Sequence, residues 1–291
     1  MSKIVMQDKE FLYENASVPI INKLQDTDIN NFKNVINQEG TYTTCTYANS
    51  SYSCTLLGTL TAGDTIKILL PLSNQDSSTD SDISISIDGG TTYYNLLDKD
   101  KNFNLMASDF DYNDIYLIAV FNGTDFVALS PDRVKNIMIL RLSSDYTTPT
   151  GLNYYNIGNL TLIEYQRGKR FTKGSITPTG QGSAMPGVKI GAGIDTVKIS
   201  ATAQMQNNNT TSTMYLILYL ARCTSAGTQT NLARAGEQNI LAGNFTTLSC
   251  TETVVNVNTN DIIGLRLYKS ASSGIAVVGY ENRTYLKVEE V

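Results

Sequence analysis

The sequence predicts a mainly β protein: a short helix near the N-terminus, a small antiparallel β-domain and a larger C-terminal β-sandwich. Three observations lead to this fold class. Apolar residues alternate with polar ones over many short segments, Asn-Gly and Asp-Gly turns separate several of these segments, and the polar residues are mostly uncharged. Of the 291 residues, 34 are Thr, 27 are Asn and 24 are Ser, whereas only 17% are charged. Such a composition is typical of β-structure with polar turns.

The first 40 residues contain a helical pattern. Thr27 or Asp28 can cap a helix that ends before Gly40. The apolar residues of this helix lie on one stripe and are Ile29, Phe32, Val35 and Ile36. A helix this short is not stable alone, so the stripe must pack on something. It packs either on its own domain or, the sharper hypothesis, against two further copies around an axis, which makes these four residues candidates for trimerisation.

Residues 41–132 predict the small antiparallel β-domain. Alternating apolar residues mark strands at 66–70, 83–87 and 116–120. The second strand runs into Asp88-Gly89-Gly90 and the third into Asn122-Gly123, and both are hairpin turns.

Residues 133–291 predict the larger β-sandwich or barrel. Alternation is strong at 197–201 and 263–267, while 214–220 is an apolar run of the kind expected for a strand buried on both faces. The segment 174–187 is rich in Gly, Ser, Thr and Pro. It is either a flexible linker or an ordered loop, and we prefer the loop because strands continue on both sides.

The first 130 residues resemble a module of bacteriophage tail fibres and baseplate proteins. The carrying pieces are 60–68, 85–89, 114–116 and 121–129, and residues 19–36 are similar to the N-terminal segment of many such fibres. The resemblance implies that residues 1–40 attach the protein to other virion proteins and that residues 41–132 form a shoulder.

Residues 135–291 look like the jelly-roll domain of the complement C1q and tumour-necrosis-factor (TNF) family. The carrying pieces are 190–201, 254–267 and 279–288, with Asn260 where the family usually has Gly. Both residue types tolerate the left-handed backbone region. The resemblance implies a homotrimer, and phages use such trimers as receptor-binding heads.

Composition and charge exclude several functions. The chain has no His, which excludes Ser-His and Cys-His nucleophiles and His-ligated metals. A net charge of -5 argues against non-specific nucleic-acid binding. No apolar run approaches the roughly 18 residues of a membrane span, and no signal peptide is recognised, so we expect synthesis in the host cytoplasm and no membrane insertion. No glycine-rich phosphate-binding motif opens a helix, and we expect no cofactor.

Two groups of aspartates are candidates for a chemical role, one as catalytic acids and the other as metal ligands. Candidate acids for polysaccharide hydrolysis are Asp109, Asp111 and Asp114. Candidate oxygen ligands for Ca²⁺ are Asp76, Asp80 and Asp82. The second group lacks the Gly and the terminal Glu of an EF-hand. We favour solvated acidic loops in both cases, and therefore expect no catalytic residue and no metal.

The four cysteines are Cys45, Cys54, Cys223 and Cys250, and none forms a C-x-x-C pair. A long chain without a secretion signal predicts free thiols. Cys45 and Cys54 can meet across a hairpin, so a bond between these two stays an alternative.

Saccharide binding is the function that best fits the composition, because Asn and Asp hydrogen-bond to sugars and Tyr stacks on them. We count strands back from the last one and take each connection as a reversal of the chain direction. This count places three connections at the far tip of the sandwich, which is the end opposite to that where the domain begins and ends. The candidate binding residues there are Ser225, Asn258, Asn260, Asp261, Tyr280, Asn282 and Arg283. The alternative is that they are ordinary polar turns.

Taken together, the sequence predicts a homotrimeric phage appendage subunit, a tail-fibre or baseplate receptor-binding protein on the virion. Its expected partners are further copies of itself, other virion proteins and a bacterial surface glycan. The alternatives are a capsid head fibre or decoration protein of the same build, a carboxylate-based polysaccharide-degrading enzyme, and a secreted cytokine-like protein.

Overall fold

The computed structural model describes residues 42–56, 59–74, 81–100, 103–110, 114–149, 154–209, 211–270, 276–279 and 283–291. The chain divides into two compact units, Met1–Arg133 and Val134–Val291. Over these ranges the secondary structure is β, apart from 3-10 turns at Leu72–Asn74 and Ala107–Asp109. The predicted helix, with Ile29, Phe32, Val35 and Ile36, lies outside the described residues. No helix among those described is long and apolar enough to cross a membrane.

Eight strands form one sheet in the first unit. They are β1 (Thr43–Thr44), β2 (Thr46–Ala48), β3 (Ser51–Ser53), β4 (Thr65–Leu70), β5 (Ser84–Ser86), β6 (Tyr94–Leu97), β7 (Ile115–Phe121) and β8 (Phe126–Ser130). Their order is β1-β4-β7-β8-β6-β5-β3-β2. In β4 the residues Ile66, Ile68 and Leu70 are buried and alternate with partly exposed ones, as the sequence predicts.

This sheet closes into a small barrel. Only Cys45 separates β1 from β2, yet β1 pairs with β4 at one edge of the sheet and β2 pairs with β3 at the other. The segment Thr43–Ala48 therefore joins both edges. The apolar residues of the strands pack inside, in a core that includes Ile68, Leu96, Leu117 and Phe126.

The expectation of a purely antiparallel domain is wrong, because the sheet is mixed. The pairs β1–β4, β3–β5 and β6–β8 are parallel. Turn residues in the sequence mark antiparallel hairpins such as β7–β8, which the structure contains. Parallel pairs join strands that are distant along the chain, and no turn signals them.

The described residues of the second unit form thirteen strands in two sheets. They are β9 (Ile137–Leu142), β10 (Tyr146–Thr147), β11 (Tyr154–Asn156), β12 (Leu160–Arg167), β13 (Phe171–Ile176), β14 (Met185–Ile190), β15 (Thr196–Asn207), β16 (Met214–Cys223), β17 (Gln229–Ile240), β18 (Phe245–Asn256), β19 (Ile262–Lys269), β20 (Ala276–Val278) and β21 (Tyr285–Glu290).

The strand order is that of a jelly roll. One sheet runs β13-β14-β19-β16-β17, with β11 also on β19, and the other contains β18-β15-β21-β9-β12, with β20 on β15 and β10 on β20. The chain stays in one sheet for β16–β17 and changes sheet before β15, β16, β18, β19 and β20, which is the double Greek-key pattern. Apolar residues from both sheets form the core between them.

Strand β16 is buried on both faces, as its apolar run predicts. The Gly-rich segment 174–187 forms the end of β13, an ordered loop and the start of β14, and it is not a linker. Gly174 to Gly187 lie on the β13–β14 hairpin and its loop, where Thr179 N donates to Gly227 O at 2.9 Å.

The chain enters and leaves the second unit at the same end. Glu290 N donates to Asn136 O at 2.8 Å, and the buried amide Nδ2 of Asn136 donates to Glu290 Oε2 at 3.0 Å. Asn136 Oδ1 also accepts from Arg170 N at 3.0 Å. We call this the entry end of the sandwich.

Candidate functional site

Two of the three predicted binding loops lie together, but at the entry end. Cys223 at the end of β16 pairs with Ile262 at the start of β19, so the loop holding Ser225 is next to the β18–β19 turn. That turn holds Asn258, Asn260 and Asp261. Strand β18 ends beside the start of β15, where β21 also ends, with Glu290 opposite Val197. The expected position at the far tip is therefore wrong.

The cause of this error is an interrupted strand. β20 and β21 both run antiparallel to β15 and on the same side of it, with Val278 opposite Met205 and Tyr285 opposite Thr202. They are two halves of one strand, so the connection between them does not reverse the chain direction. The strand count therefore contains one reversal too many, and each loop before β20 lies at the end of the sandwich opposite to the predicted one. Arg283 lies in this interruption, away from the two loops. Tyr280 and Asn282 lie outside the described residues.

The polar groups of the β18–β19 turn build the turn itself. Asp261 is buried, and its Oδ2 accepts a hydrogen bond from Asn258 N at 2.9 Å. The Nε of Arg222 lies 3.9 Å from the same carboxylate. Asn260 has a φ of 71°, the left-handed conformation expected where the family has Gly. These side chains therefore stabilise the turn whether or not a ligand is bound.

The candidate acidic residues that are described have structural contacts. The carboxylate of Asp82 accepts from Asn104 Nδ2 at 2.7 Å. Asp109 is buried and accepts from a backbone N–H three residues earlier, and Asp114 accepts from a serine hydroxyl. The others lie outside the described residues: Asp76, Asp80 and Asp111. Across the described ranges, no three His, Cys, Asp or Glu residues come together as metal ligands would.

A cluster of aromatic and basic side chains lies on the outward face of the sheet that contains β19, β16 and β17. We call it the tyrosine–arginine platform, and its members are Tyr154, Tyr219, Tyr268, Arg234 and Arg266. Register brings them together from four strands. Tyr154 of β11 pairs with Tyr268 of β19, and Tyr219 of β16 pairs with Arg266 of β19 on one side and Arg234 of β17 on the other. The alternate residues of β16 and β19 fill the core, so these side chains face outward.

The Tyr154 ring is in direct contact with the other two tyrosine rings of the platform and with the guanidinium group of Arg266. The ring centroids of Tyr154 and Tyr268 are 4.9 Å apart, and those of Tyr154 and Tyr219 are 6.3 Å apart. The Cζ of Arg266 lies 4.6 Å from the centroid of Tyr154, a cation–π distance. Tyr154 remains 41% exposed, whereas Tyr219 is 8% exposed. Tyr219 thus forms the floor of the platform and Tyr154 its accessible ring.

Arg266 carries an unused hydrogen-bond donor. Its Nη1 donates to Asn231 Oδ1 at 3.4 Å, but its buried Nε has no hydrogen-bond partner among the residues that the structure describes. Burial lowers the pKa of Arg266, although an arginine keeps its charge at neutral pH. A buried N–H without a partner is unfavourable, so an oxygen of a bound molecule would stabilise this group.

A carboxylate lies at the margin of the platform. Glu237 of β17 accepts from Arg234 Nη1 at 2.7 Å. A hydrogen bond to Glu237 raises the pKa of Tyr215, the next outward-facing tyrosine of β16. Aromatic faces, cationic donors and a carboxylate acceptor within one surface are the groups that hold a sugar ring and its hydroxyls.

Sequence reasoning missed the platform. It identified tyrosine and asparagine as sugar-binding residue types but had no means of placing them. The members are separated by up to 114 positions, from Tyr154 to Tyr268, and only strand register joins them. The available signal is that tyrosine and arginine alternate with the apolar core residues of β16 and β19 and therefore face outward. This signal locates a site only once it is known that the two strands pair.

The other sheet has a partly apolar outward face. We call its apolar group the edge patch, formed by Leu162 and Tyr165 of β12, Ile137 and Ile139 of β9, and Tyr285 of β21. Leu162 and Tyr285 both pair with Arg141, and Tyr165 pairs with Ile139. Leu162 is 52% exposed and Tyr165 is 47% exposed. The neighbouring residues of β9 are buried in the core, so these side chains face outward.

The strand order and the two-sheet core define the second unit as a jelly-roll β-sandwich. No protein-family model matches the chain, and no curated protein matches it. Among solved structures, it is similar to murine APRIL at pH 5.0, with a TM-score of 0.36 and 12% identity over 54% of this chain and 100% of that one. It is also similar to Eiger TNF from S. frugiperda, with a TM-score of 0.35 and 8% identity over 54% of this chain and 92% of that one. Likeness at this level does not extend to function.

Proposed function

We propose that this chain is the subunit of a homotrimeric virion appendage, a tail-fibre or baseplate receptor-binding protein, whose jelly-roll unit binds a saccharide on the host surface. Residues 1–40 attach it to other virion proteins. Three weak sites on one trimer act together, so the binding is avid.

The tyrosine–arginine platform is the observation that carries the saccharide proposal. Tyr154 offers an accessible aromatic face, and the Nε–H of Arg266 offers a donor that lacks a partner within the described structure. The apolar face of a sugar ring stacks on the first while a hydroxyl or carboxylate oxygen accepts from the second. Glu237 and Asn231 at the margin add acceptors for sugar hydroxyls.

The edge patch supports self-association. Leu162 and Tyr165 are about half exposed and lie beside Ile139 on a sheet face, so a second copy of the chain can bury all three. The contact between copies of the chain needs no covalent bond.

The virion assignment is supported by the order of the motifs in residues 19–130, which is similar to that of phage appendage proteins. A capsid head fibre has the same build, and the same surfaces serve it.

The saccharide proposal is tested with the fluorescently labelled full chain on panels of bacterial cells and purified surface polysaccharides. We expect binding to some of them, with Tyr154→Ala weakening it about tenfold or more, because an aromatic stacking contact is lost at each of three linked sites. Tyr154→Phe keeps the ring and should keep most of the affinity. The polysaccharide should be recovered at its original length, since we propose binding without hydrolysis.

Tyr93→Ala is the matched control, because Tyr93 is similarly exposed at 46% but belongs to the first unit. It should bind as the unaltered chain does. Equal binding by Tyr154→Ala and the unaltered chain would show that the platform is not the site. Shortened polysaccharide would favour the enzymatic alternative.

A further inference from the structure

Cys45 and Cys54 flank a tight hairpin in the first unit. β2 and β3 pair with Ala48 opposite Ser51 and Thr46 opposite Ser53. The two residues of the turn between them, at positions 49 and 50, both have positive φ, as in the type I′ turn that fixes the register of a two-residue hairpin. One further step along this register places Cys45 directly opposite Cys54.

The backbone hydrogen bonds show which kind of pair this is. Cys45 N donates to Leu69 O on β4 at 2.9 Å, and Cys54 N donates to Ser86 O on β5 at 2.9 Å. Cys54 O accepts from Gly89 N at 3.0 Å. Both cysteines direct their backbone bonds away from each other, so they form a non-hydrogen-bonded antiparallel pair. Such pairs have Cα atoms about 4.5 Å apart, within the roughly 4.4–6.8 Å that a disulfide spans.

The two side chains share the inside of the barrel. Both are buried in the core of the first unit, where Tyr52 packs with them, and both are free thiols in the structure. The interaction between the two buried thiols lowers the pKa of Cys54 and raises that of Cys45. Cys54 is therefore the better nucleophile of the two.

We propose that Cys45 and Cys54 form an intramolecular disulfide when the folded protein meets a small oxidant of the peroxide class. The Cys54 thiolate attacks one peroxide oxygen, the O–O bond breaks, and Cys54 becomes a sulfenic acid. The Cys45 sulfur then attacks the Cys54 sulfur, the S–S bond forms, and water leaves. With hydrogen peroxide, the oxygen displaced in the first step leaves as hydroxide and takes up a proton to become water. The two thiols together lose two electrons and two protons, and the hydrogen peroxide is reduced to two molecules of water, one from each step.

This bond would lock the closure of the barrel. Cys45 is the residue between β1 and β2, the two strands that join the opposite edges of the sheet, and Cys54 follows β3. A disulfide ties the closing segment covalently to β3. Because the cross-link restricts the unfolded chain, it raises the stability of the first unit.

The test uses the full chain treated with hydrogen peroxide in its folded state, then alkylated, digested with trypsin and analysed by mass spectrometry. The tryptic peptide 34–67 contains both cysteines and no other. We expect this peptide to lose two hydrogens and to resist alkylation until it is reduced. The thermal transition of the first unit should rise by about 10 °C and return on reduction.

Cys45→Ala and Cys54→Ala should each abolish the rise, whereas Cys250→Ala, at a partly buried cysteine of the second unit, should leave it intact. If the two alanine variants fold poorly, the peptide map of the unaltered chain still decides. The proposal is overturned if both thiols of 34–67 remain free for alkylation after treatment, or if Cys54 is oxidised to a sulfinic acid without a cross-link.

Discussion

At the scale of single residues, a polar side chain in a loop can stabilise the turn itself or bind a ligand. Asn258, Asn260 and Asp261 are predicted to bind because strand counting places their connection at the far tip of the sandwich. In the structure Asp261 is buried and accepts a hydrogen bond from the turn backbone, while Asn260 supplies the left-handed conformation. The platform residues, in contrast, lie within apolar strands, whereas the sequence predicts every binding residue in a loop.

Asn260 separates these two roles experimentally. We expect Asn260→Gly to keep both the free energy of unfolding and saccharide binding, because Gly adopts the positive φ of this position without strain. Asn260→Val should lower the free energy of unfolding by about 1–2 kcal/mol, since a β-branched residue is strained there. Urea unfolding and the cell-binding assay measure the two effects. A folded Asn260→Gly protein that no longer binds would place the saccharide site at the β18–β19 turn instead.

At the scale of strands and turns, alternation of apolar residues located several of the longer strands, because each of them buries one face. β4, β5, β7, β15 and β19 all lie where alternation placed them. Alternation did not reveal the parallel pairs of the first unit. It also did not reveal that β20 and β21 are halves of one strand, since a break in the pattern looks the same whether or not the chain reverses.

The β13–β14 hairpin offers a test of ordered structure against a linker. A Cβ added at Gly187 would lie 1.9 Å from Ile263 O on β19, whereas one added at Gly182 meets nothing within 4 Å. Gly187→Ala should therefore separate β14 from β19 and lower the free energy of unfolding by about 3 kcal/mol. Gly182→Ala in the same segment is the control, and its stability should be unchanged or slightly raised. Denaturant unfolding checks both, and a stable Gly187→Ala protein would contradict the packing of this hairpin.

At the scale of the whole molecule, each unit has its own core. The core of the first unit draws on residues 45–128 and that of the second on residues 138–288. The second unit has two different outward faces, the platform on one sheet and the edge patch on the other. We propose that they have different tasks, binding saccharide and holding the trimer.

The trimer is tested by the mass of the protein in solution. We expect the unaltered chain to have three times the 31.8 kDa mass of one subunit, and Leu162→Glu to shift it towards the monomer, because the variant places a charge on the edge patch. Leu129→Glu is the control, since Leu129 is 44% exposed but belongs to the first unit. Light scattering at micromolar concentration measures the mass. A monomeric unaltered chain would remove the trimer from the proposed function without touching the saccharide site.

The sequence by itself determined the β-rich class, the positions of several strands, the Asn and Gly turns, and the exclusion of histidine chemistry. These features depend on neighbours along the chain, through alternation and turn geometry, so they can be recognised locally. Only the tertiary structure decided the closure of the first barrel by Thr43–Ala48, the end of the sandwich at which each loop lies, and the meeting of Tyr154, Tyr219 and Arg266 on one face. Those depend on which strands pair and in what register, and pairing is selected by the burial of whole sheet faces against each other.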